Sequence, residues 1–316
     1  MDNLCHTLVG SALGKAGLEK RTPLATATLL IGANLPDVDV FAYLWGPETA
    51  LSFRRGWTHG VLALALWPFL LTAAMLAWDR LVRRRRRGAE PASPRALLLL
   101  ATISILSHPF LDWLNTYGMR WLMPFRDAWY YGDTLFIVDV WIWLVLFIGI
   151  VATRWRQGRG TARPGRPARV ALAAVCVYIL LMAAAQLAAR SMAREHLARM
   201  GDPPERMMAG PLPLTPFRRQ IVAESGDRYA LGTVNLLSRL YQPGPIPELP
   251  KNAGHPAVAE AARIRDGAIF LHWARFPFFQ IEEAPGALIV RMTDARYTIN
   301  PGTGFGRETV EVPKKD

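Results

Sequence analysis

The chain has 316 residues, 51% of them hydrophobic, and a formal net charge of +12 at pH 7. The two cysteines, Cys5 and Cys176, have no Cys-x-x-Cys context, so the sequence supports neither a disulfide framework nor a thiolate zinc site. Much of the basic excess lies in two short blocks, 83–87 and 154–169, each flanked by apolar runs. This placement favours cytoplasmic loops between membrane spans over a nucleic-acid-binding surface.

Two short helices are predicted first, at 5–17 and 23–34, joined by a cytoplasmic turn that contains Lys20 and Arg21. At 1.5 Å per residue, each covers only about 20 Å. Longer apolar runs follow, and each approaches the ~20 residues that cross a bilayer. These runs are residues 60–78, 95–114, 135–153 and 170–189. The sequence therefore predicts a mainly α, multi-pass helical bundle in a bacterial-type inner membrane.

The composition changes after about residue 190, where prolines, charges and alternating apolar residues appear. Residues 218–237 predict a β-hairpin with Gly226 and Asp227 at its turn, and residues 286–300 predict a second strand pair. We therefore predict two domains. Residues 1–190 form a membrane-embedded, helical, metal-binding domain, and residues 191–316 form a small α/β or mostly β accessory domain.

The basic blocks also orient the chain, because loops rich in arginine stay in the cytoplasm. This rule places the accessory domain outside the cytoplasm. It also brings the polar residues that interrupt or flank the apolar runs to one face of the membrane, the extracytoplasmic one. These residues are His6, Asp37, Asp39, His59, His108, Asp112, Asp133 and Asp139.

Imidazole and carboxylate groups are the ligands that zinc and similar divalent metals prefer. His108 and Asp112 are four residues apart, so on a helix they share one face and can point at one ion. Asp37 and Asp39 flank a single residue, and in an extended segment their side chains also point the same way. A spare carboxylate beside a metal can take a proton from the attacking water.

Structural interpretations remain open for these residues. His59 could be an interfacial histidine or a helix cap, and Asp37 and Asp39 could be loop acids or caps. Asp139 could cap a helix or pair with an arginine, and a helix cap is slightly favoured for Asp133. His108 and Asp112 could form a structural pair, although ionisable groups at membrane depth usually have a function or a partner.

Several motifs, in chain order, resemble one known family. They are MDNLCHTLVGSALGKAGL, NLPDVDV, RGWTHG, SHPFLDWLNTYG and YYGDTLFIVDVW, followed in the tail by FLHWARFPFFQIEEAPGALIVRMTDARY. They look like the LexA-regulated family of inner-membrane proteins described as predicted metal-dependent hydrolases. That family is itself similar to the superfamily of zinc-dependent phospholipase C and single-strand nucleases, an all-helical fold with a multinuclear zinc site.

The resemblance implies a phospholipase C-like metal site. The superfamily pattern of an early His, an Asp, a His and then His-x-x-x-Asp matches His6, Asp37 or Asp39, His59, and His108 with Asp112. Asp112 would then bridge two ions. The later His, His and Glu ligands of the superfamily have no match, since no histidine lies between 108 and 196; Asp133 and Asp139 are the candidates for a partial substitute.

From these residues we expect a metal-dependent hydrolase that acts at the outer face of the membrane. The expected metal ligands are His6, Asp37, Asp39, His59, His108, Asp112 and Asp139. One or two divalent ions are expected, zinc or else manganese, with Asp37 and Asp39 as the catalytic carboxylates. The expected substrate is a phosphoester in a lipid or lipid-linked molecule, and no nucleic-acid partner is expected. The alternatives are a transporter with an ion pathway and a membrane scaffold with a structural metal.

Overall fold

A computed structural model of the chain describes residues 1–85, 88–298 and 305–314. It divides into two compact units, one of Met1–Phe41 with Arg54–Ala183 and one of Ala42–Phe53 with Ala184–Asp316. Helices dominate the first unit and antiparallel strands the second. The last two arginines of the basic block 83–87 lie outside the described residues.

The helices follow the order of the predicted apolar runs. Their bounds are α1 Asn3–Lys15, α2 Ala25–Asn34, α3 Pro47–Phe53, α4 Val61–Leu81, α5 Pro94–Trp113, α6 Val140–Gly158 and α7 Arg166–Arg199. In the described part of the chain, five helical segments are long and apolar enough to cross a membrane. They are Ala25–Trp45, Val61–Arg85, Pro94–Trp113, Val140–Gly158 and Arg166–Arg199. The predicted multi-pass helical architecture is thereby supported.

Two helices extend further than the sequence predicted. A 3₁₀ helix, Leu35–Trp45, continues α2, so that the second predicted short helix becomes a segment of 21 residues. Helix α7 runs to Arg199, beyond the predicted end of its apolar run at residue 189. Its last turns place Ala189, Ala193 and Leu197 on one face, where they are buried against strands of the second unit. Packing against these strands therefore stabilises the part of α7 that follows its apolar run.

In the described part of the second unit, two antiparallel sheets and two short α-helices follow α3 and the end of α7. One sheet has the order β1 Arg206–Leu212, β2 Thr215–Ser225, β3 Arg228–Asn235 and β4 Leu240–Pro250. Helices α8 Pro256–Ala261 and α9 Arg265–Trp273 precede the other sheet, β5 Pro277–Ala284, β6 Ala287–Asp294 and β7 Arg307–Pro313. The predicted hairpin is confirmed, because Ser225 pairs with Arg228 across Gly226 and Asp227.

The prediction of a strand pair within residues 286–300 is wrong. This segment contributes the single strand β6, whose partners are β5 and β7. The chain turns into a 3₁₀ helix at Ala295–Tyr297 because the Asp294 carboxylate accepts hydrogen bonds from the backbone nitrogens of Arg275 and Arg296. The last two residues of the predicted pair, 299 and 300, lie outside the described residues.

Helices α1, α2 and α5 of the first unit cross at short distances. A Cβ atom added to Gly10 of α1 would lie 2.8 Å from the carbonyl oxygen of Leu29. One added to Gly32 of α2 would lie 2.1 Å from Ser104 Oγ of α5. Both distances are shorter than real Cβ contacts allow, so these glycines let α1, α2 and α5 approach one another closely.

We expect Gly32→Ala to lower the free energy of unfolding by about 1–3 kcal/mol, because the added methyl group overpacks the crossing of α2 and α5. Gly14→Ala is the matched control, since its Cβ would lie at an ordinary 3.6 Å from Leu29 Cδ1. Thermal unfolding of the purified protein in detergent measures both. Equal midpoints for the two variants would contradict the close approach at Gly32.

Candidate metal centre

Four buried side chains from three segments converge inside the first unit. Asp37 lies on the 3₁₀ helix that continues α2, His59 ends the turn before α4, and His108 and Asp112 lie on α5. One ligand atom from each lies within 4.8 Å of the other three. The predicted sharing of a helix face by His108 and Asp112 is confirmed, since Nε2 and Oδ2 are 3.5 Å apart.

The spacing of these atoms fits a single divalent ion. Zinc binds imidazole nitrogen and carboxylate oxygen at 2.0–2.2 Å in a tetrahedron, which puts neighbouring ligand atoms roughly 3.3–3.6 Å apart. The two Nε2 atoms of His59 and His108 are 3.1 Å apart, and each lies 3.5 Å from Asp112 Oδ2. Asp37 Oδ1 is 3.8 Å from the first Nε2 and 3.6 Å from the second. The donor set and its dimensions therefore suit zinc or a similar ion.

Helix α2 fixes the orientation of His108. Its Nδ1 lies 2.7 Å from the carbonyl oxygen of Ala33, and a carbonyl can only accept, so Nδ1 donates. In the neutral imidazole, Nε2 then carries the lone pair and faces the centre. Pro109 does not interrupt α5, which runs on to Trp113. A metal-binding histidine characteristically has its second nitrogen bonded in this way.

A chain of two hydrogen bonds fixes the orientation of His59. Thr58 Oγ1 donates its hydrogen to Asp39 Oδ2 at 3.2 Å, so its lone pair accepts from His59 Nδ1 at 2.8 Å. The Nε2 atom of His59 is thereby left as an acceptor that points at the centre. Burial lowers the pKa of His59 below its usual value, which favours the neutral, metal-binding form.

Because both Nδ1 atoms donate outwards, the atoms that face the centre are all hydrogen-bond acceptors. Two imidazole lone pairs and two carboxylate oxygens face one small volume, and Asp112 Oδ2 has an ion pair with Arg55 but no hydrogen bond among the described residues. Buried acceptors that face one another are costly unless a cation lies among them, either a proton or a metal ion. The arrangement therefore meets the chemical requirement of a cation site.

The other oxygen of Asp112 faces His6. Its Oδ1 lies 3.2 Å from His6 Nε2 and accepts from the amino group of Met1, while Arg55 Nε approaches Oδ2 at 3.2 Å. The His6 ring stacks on His108 with ring centroids 3.8 Å apart. Burial lowers the pKa of His6 to about 3. His6 therefore lies beside the four-residue group as a neutral imidazole.

The structure separates Asp37 from Asp39, which an extended segment would have pointed the same way. Both lie on a 3₁₀ helix, where residues two apart point in different directions. Asp37 faces the two imidazoles, and Asn3 Nδ2 donates to its second oxygen at 2.9 Å. Asp39 lies behind His59, where its Oδ2 also accepts from the backbone nitrogen of Arg55 at 2.8 Å. The expectation of an extended segment is thus corrected.

Asp139 and Asp133 lie outside the four-residue group. Asp139 caps the start of α6, where one oxygen accepts from the backbone nitrogens of Trp141 and Ile142. Its other oxygen accepts from the hydroxyl of Tyr178 at 3.1 Å. Asp133 is buried in the loop before α6 and has a positive φ of 52°. Of the interpretations open for Asp139, the structure therefore supports the helix cap.

Comparison with known proteins places the chain in a family. A family model described as YdjM inner membrane protein matches residues 1–192, which include all four residues of the centre. The chain belongs to the YdjM inner membrane protein family. This finding supports the location in the inner membrane that the sequence predicts.

A curated relative is also similar to the chain. The uncharacterized protein YfhP of Bacillus subtilis (strain 168) is 26% identical over 139 residues, which are 41% of this chain and 39% of that protein. The match thus spans about two fifths of the length of the relative. No solved structure matches the chain.

Several residues of the centre carry no signal in the sequence. Thr58 and the Ala33 carbonyl orient the two imidazoles, and Asn3 orients Asp37. Arg55 reaches Asp112, while its Nη1 donates to Asn115 Oδ1 at 3.0 Å. A backbone carbonyl or a lone hydroxyl has no recognisable spacing, so these contacts emerge only from the packed helices.

We expect Thr58→Val to weaken metal binding by roughly 10- to 100-fold, because the variant breaks the bonded chain that fixes the His59 tautomer. Thr102→Val is the matched control, since Thr102 Oγ1 donates to the Leu98 carbonyl of its own helix, away from the four-residue group. Competition against a chelator of known zinc affinity measures the dissociation constants. Equal affinities in the two variants would show that Thr58 does not position His59.

Proposed function

We propose that this protein is a metal-dependent hydrolase of the inner membrane that cleaves a phosphoester in a lipid or lipid-linked substrate. The observation that carries the proposal is the convergence of His59, His108 and Asp112 with both imidazole tautomers fixed from behind. Two histidines and one carboxylate are a ligand set of catalytic zinc sites. A bound divalent ion would supply Lewis-acid activation of the phosphoryl group and of a water molecule.

Asp37 is the proposed general base. It is the most exposed member of the group, with 8% of its surface accessible, whereas His59, His108 and Asp112 are fully buried. Its Oδ1 also has the longest separations from the imidazole nitrogens. A water molecule reaching the centre would therefore meet Asp37, whose carboxylate can accept a proton. Asp39 is a positioning residue that acts on His59 through Thr58.

An apolar groove beside the centre supports a lipid substrate. It lies between α2 and α4, has a volume of about 590 Å³, and runs from Leu24 and Trp78 to Leu35 and Trp67. Trp67 Nε1 donates to the carbonyl oxygen of Thr58 at 3.0 Å, so this end of the groove lies next to the residue that orients His59. An acyl chain in the groove would bring its phosphoester headgroup towards Asp37, two residues after Leu35.

The basic blocks support the proposed orientation. The centre lies at the α5 C-terminus and before the α4 N-terminus, whereas the described arginines of the blocks lie at the opposite helix ends. Under the positive-inside rule, the centre then opens at the extracytoplasmic face and the second unit is extracytoplasmic. The substrate would be drawn from the outer leaflet of the inner membrane.

A structural metal site is the second candidate function. Four protein ligands form the closed shell of structural zinc sites, and Asp37 completes such a shell here. The two functions differ in what Asp37 does. As a fourth ligand it would be needed for metal binding, and as a base it would be needed only for turnover.

We expect the purified wild type to bind one or two equivalents of a divalent metal, zinc or manganese, by plasma mass spectrometry. The double variant His108→Ala/Asp112→Ala should lose the metal, because it removes two of the three proposed ligands. His196→Ala/Asp227→Ala is the matched control, since it removes the same residue types from the second unit. A wild type without metal after reconstitution would contradict the proposal.

We expect Asp37→Asn to retain its metal and to lose hydrolysis by roughly 10²- to 10⁴-fold, the range for removing a general base. Release of phosphate or headgroup is measured on phospholipid vesicles and on a soluble phosphodiester. Asp227→Asn, at the exposed hairpin turn, is the control. If Asp37→Asn loses its metal and the wild type turns over no phosphoester, the structural-metal function is supported instead.

A further inference from the structure

A second groove in the first unit ends in two arginines. It lies between α6 and α7, has a volume of about 500 Å³, and is apolar along most of its length. Val145 marks one end on α6. Arg156 of α6 and Arg166 of α7 mark the other end, beside the loop that joins the two helices. The groove therefore combines an apolar channel with a positively charged mouth.

Tight helix packing forms the floor of this groove. A Cβ atom added to Gly149 would lie 2.4 Å from Ala171 Cβ, so the helices touch at this point. Thr153 Oγ1 also accepts a hydrogen bond from the backbone nitrogen of Ala168 at 3.0 Å. Because both contacts hold α6 against α7, the groove exists before any ligand enters it.

The arginines at the mouth have no acidic partner among the residues that the structure describes. Neither Arg156 nor Arg166 forms an ion pair with a carboxylate in the described ranges, and the Nε atom of Arg156 is buried without a hydrogen bond. The nearby Arg159, by contrast, stacks on the ring of Trp155, with its guanidinium carbon 3.7 Å from the ring centroid. Arg156 thus holds a desolvated donor at the end of an apolar channel, which favours an anionic ligand.

We propose that this groove binds an anionic phospholipid, with an acyl chain between α6 and α7 and the phosphate at Arg156 and Arg166. Val145 and Arg156 are eleven residues apart on one helix, a rise of about 16 Å that matches one leaflet of a hydrocarbon core about 30 Å thick. Basic pockets between spans on the arginine-rich side of a membrane suit lipid phosphates. The guanidinium groups can bind phosphate oxygens in pairs.

This site is separate from the metal centre and does not rest on the proposed hydrolase activity. The arginines lie at the C-terminal end of α6 and the N-terminal end of α7, and none of the described residues that line the groove belongs to the four-residue group. A lipid held there would join α6 to α7 on the side of the basic loops. The two arginines, which lack a carboxylate partner in the described part of the chain, select an anionic phosphodiester as the headgroup.

Native mass spectrometry of the full chain, delipidated and then titrated with lipids, tests the proposal. The probes are dioleoyl phosphatidylglycerol and dioleoyl phosphatidylcholine, which share acyl chains and differ in headgroup charge. We expect the wild type to prefer phosphatidylglycerol, and Arg156→Gln/Arg166→Gln to lose affinity for it by roughly 30-fold. Ala152→Leu keeps both arginines but fills the channel, and we expect it to weaken the binding of both lipids.

Arg154→Gln/Arg169→Gln is the matched control, because these arginines lie on the same helices, are exposed, and do not line the groove. Both double variants remove two positive charges, so any change in membrane orientation affects them equally. Retained preference in the control together with loss in Arg156→Gln/Arg166→Gln supports the site. Equal loss in both, an unchanged Ala152→Leu variant, or a wild type without preference would overturn it.

Discussion

The convergence of buried acceptors is the constraint on which the helical unit depends. His59 and His108 each use one ring nitrogen to bond outwards, to Thr58 and to the Ala33 carbonyl, and so present the other nitrogen inwards. The Asp112 carboxylate adds a negative charge among them. Arg55 and the Met1 amino group offset part of that charge from one side, and a cation among the four side chains would offset the rest. An ion bound there would therefore also stabilise the packing of these helices.

Helix packing is what brings the cluster together. Asp37 and His108 are far apart in sequence, and their segments meet because Gly32 lets α2 approach α5 at Ser104. The same approach brings the Ala33 carbonyl to within 2.7 Å of His108 Nδ1. The packing of α2 against α5 therefore also sets the orientation of His108. If α2 lay further from α5, the hydrogen bond that fixes the His108 tautomer would be lost.

The sequence predicts the long helices, because a run of ~20 apolar residues is typical of a membrane-spanning helix. It also predicts that His108 and Asp112 share a helix face, because this depends only on their spacing of four residues. It does not predict that the chain around Asp37 and Asp39 is a 3₁₀ helix, since a short apolar segment with two acids fits several conformations. Nor does it indicate that α3 packs with the second unit. Those outcomes depend on contacts between distant segments, which no local pattern records.

Polar residues at membrane depth differ in where their partners come from, either their own helix or another segment of the chain. The Asp139 carboxylate accepts hydrogen bonds from backbone nitrogens in the first turn of its own helix. Its negative charge at the N-terminus, like the positive charge of Arg156 in the last turn, also stabilises α6 through the helix dipole. His108 and Asp112 have no such local solution, because they lie within the last two turns of α5 and need partners from other segments. Ionisable groups at membrane depth are costly, and such groups usually have a function or a partner.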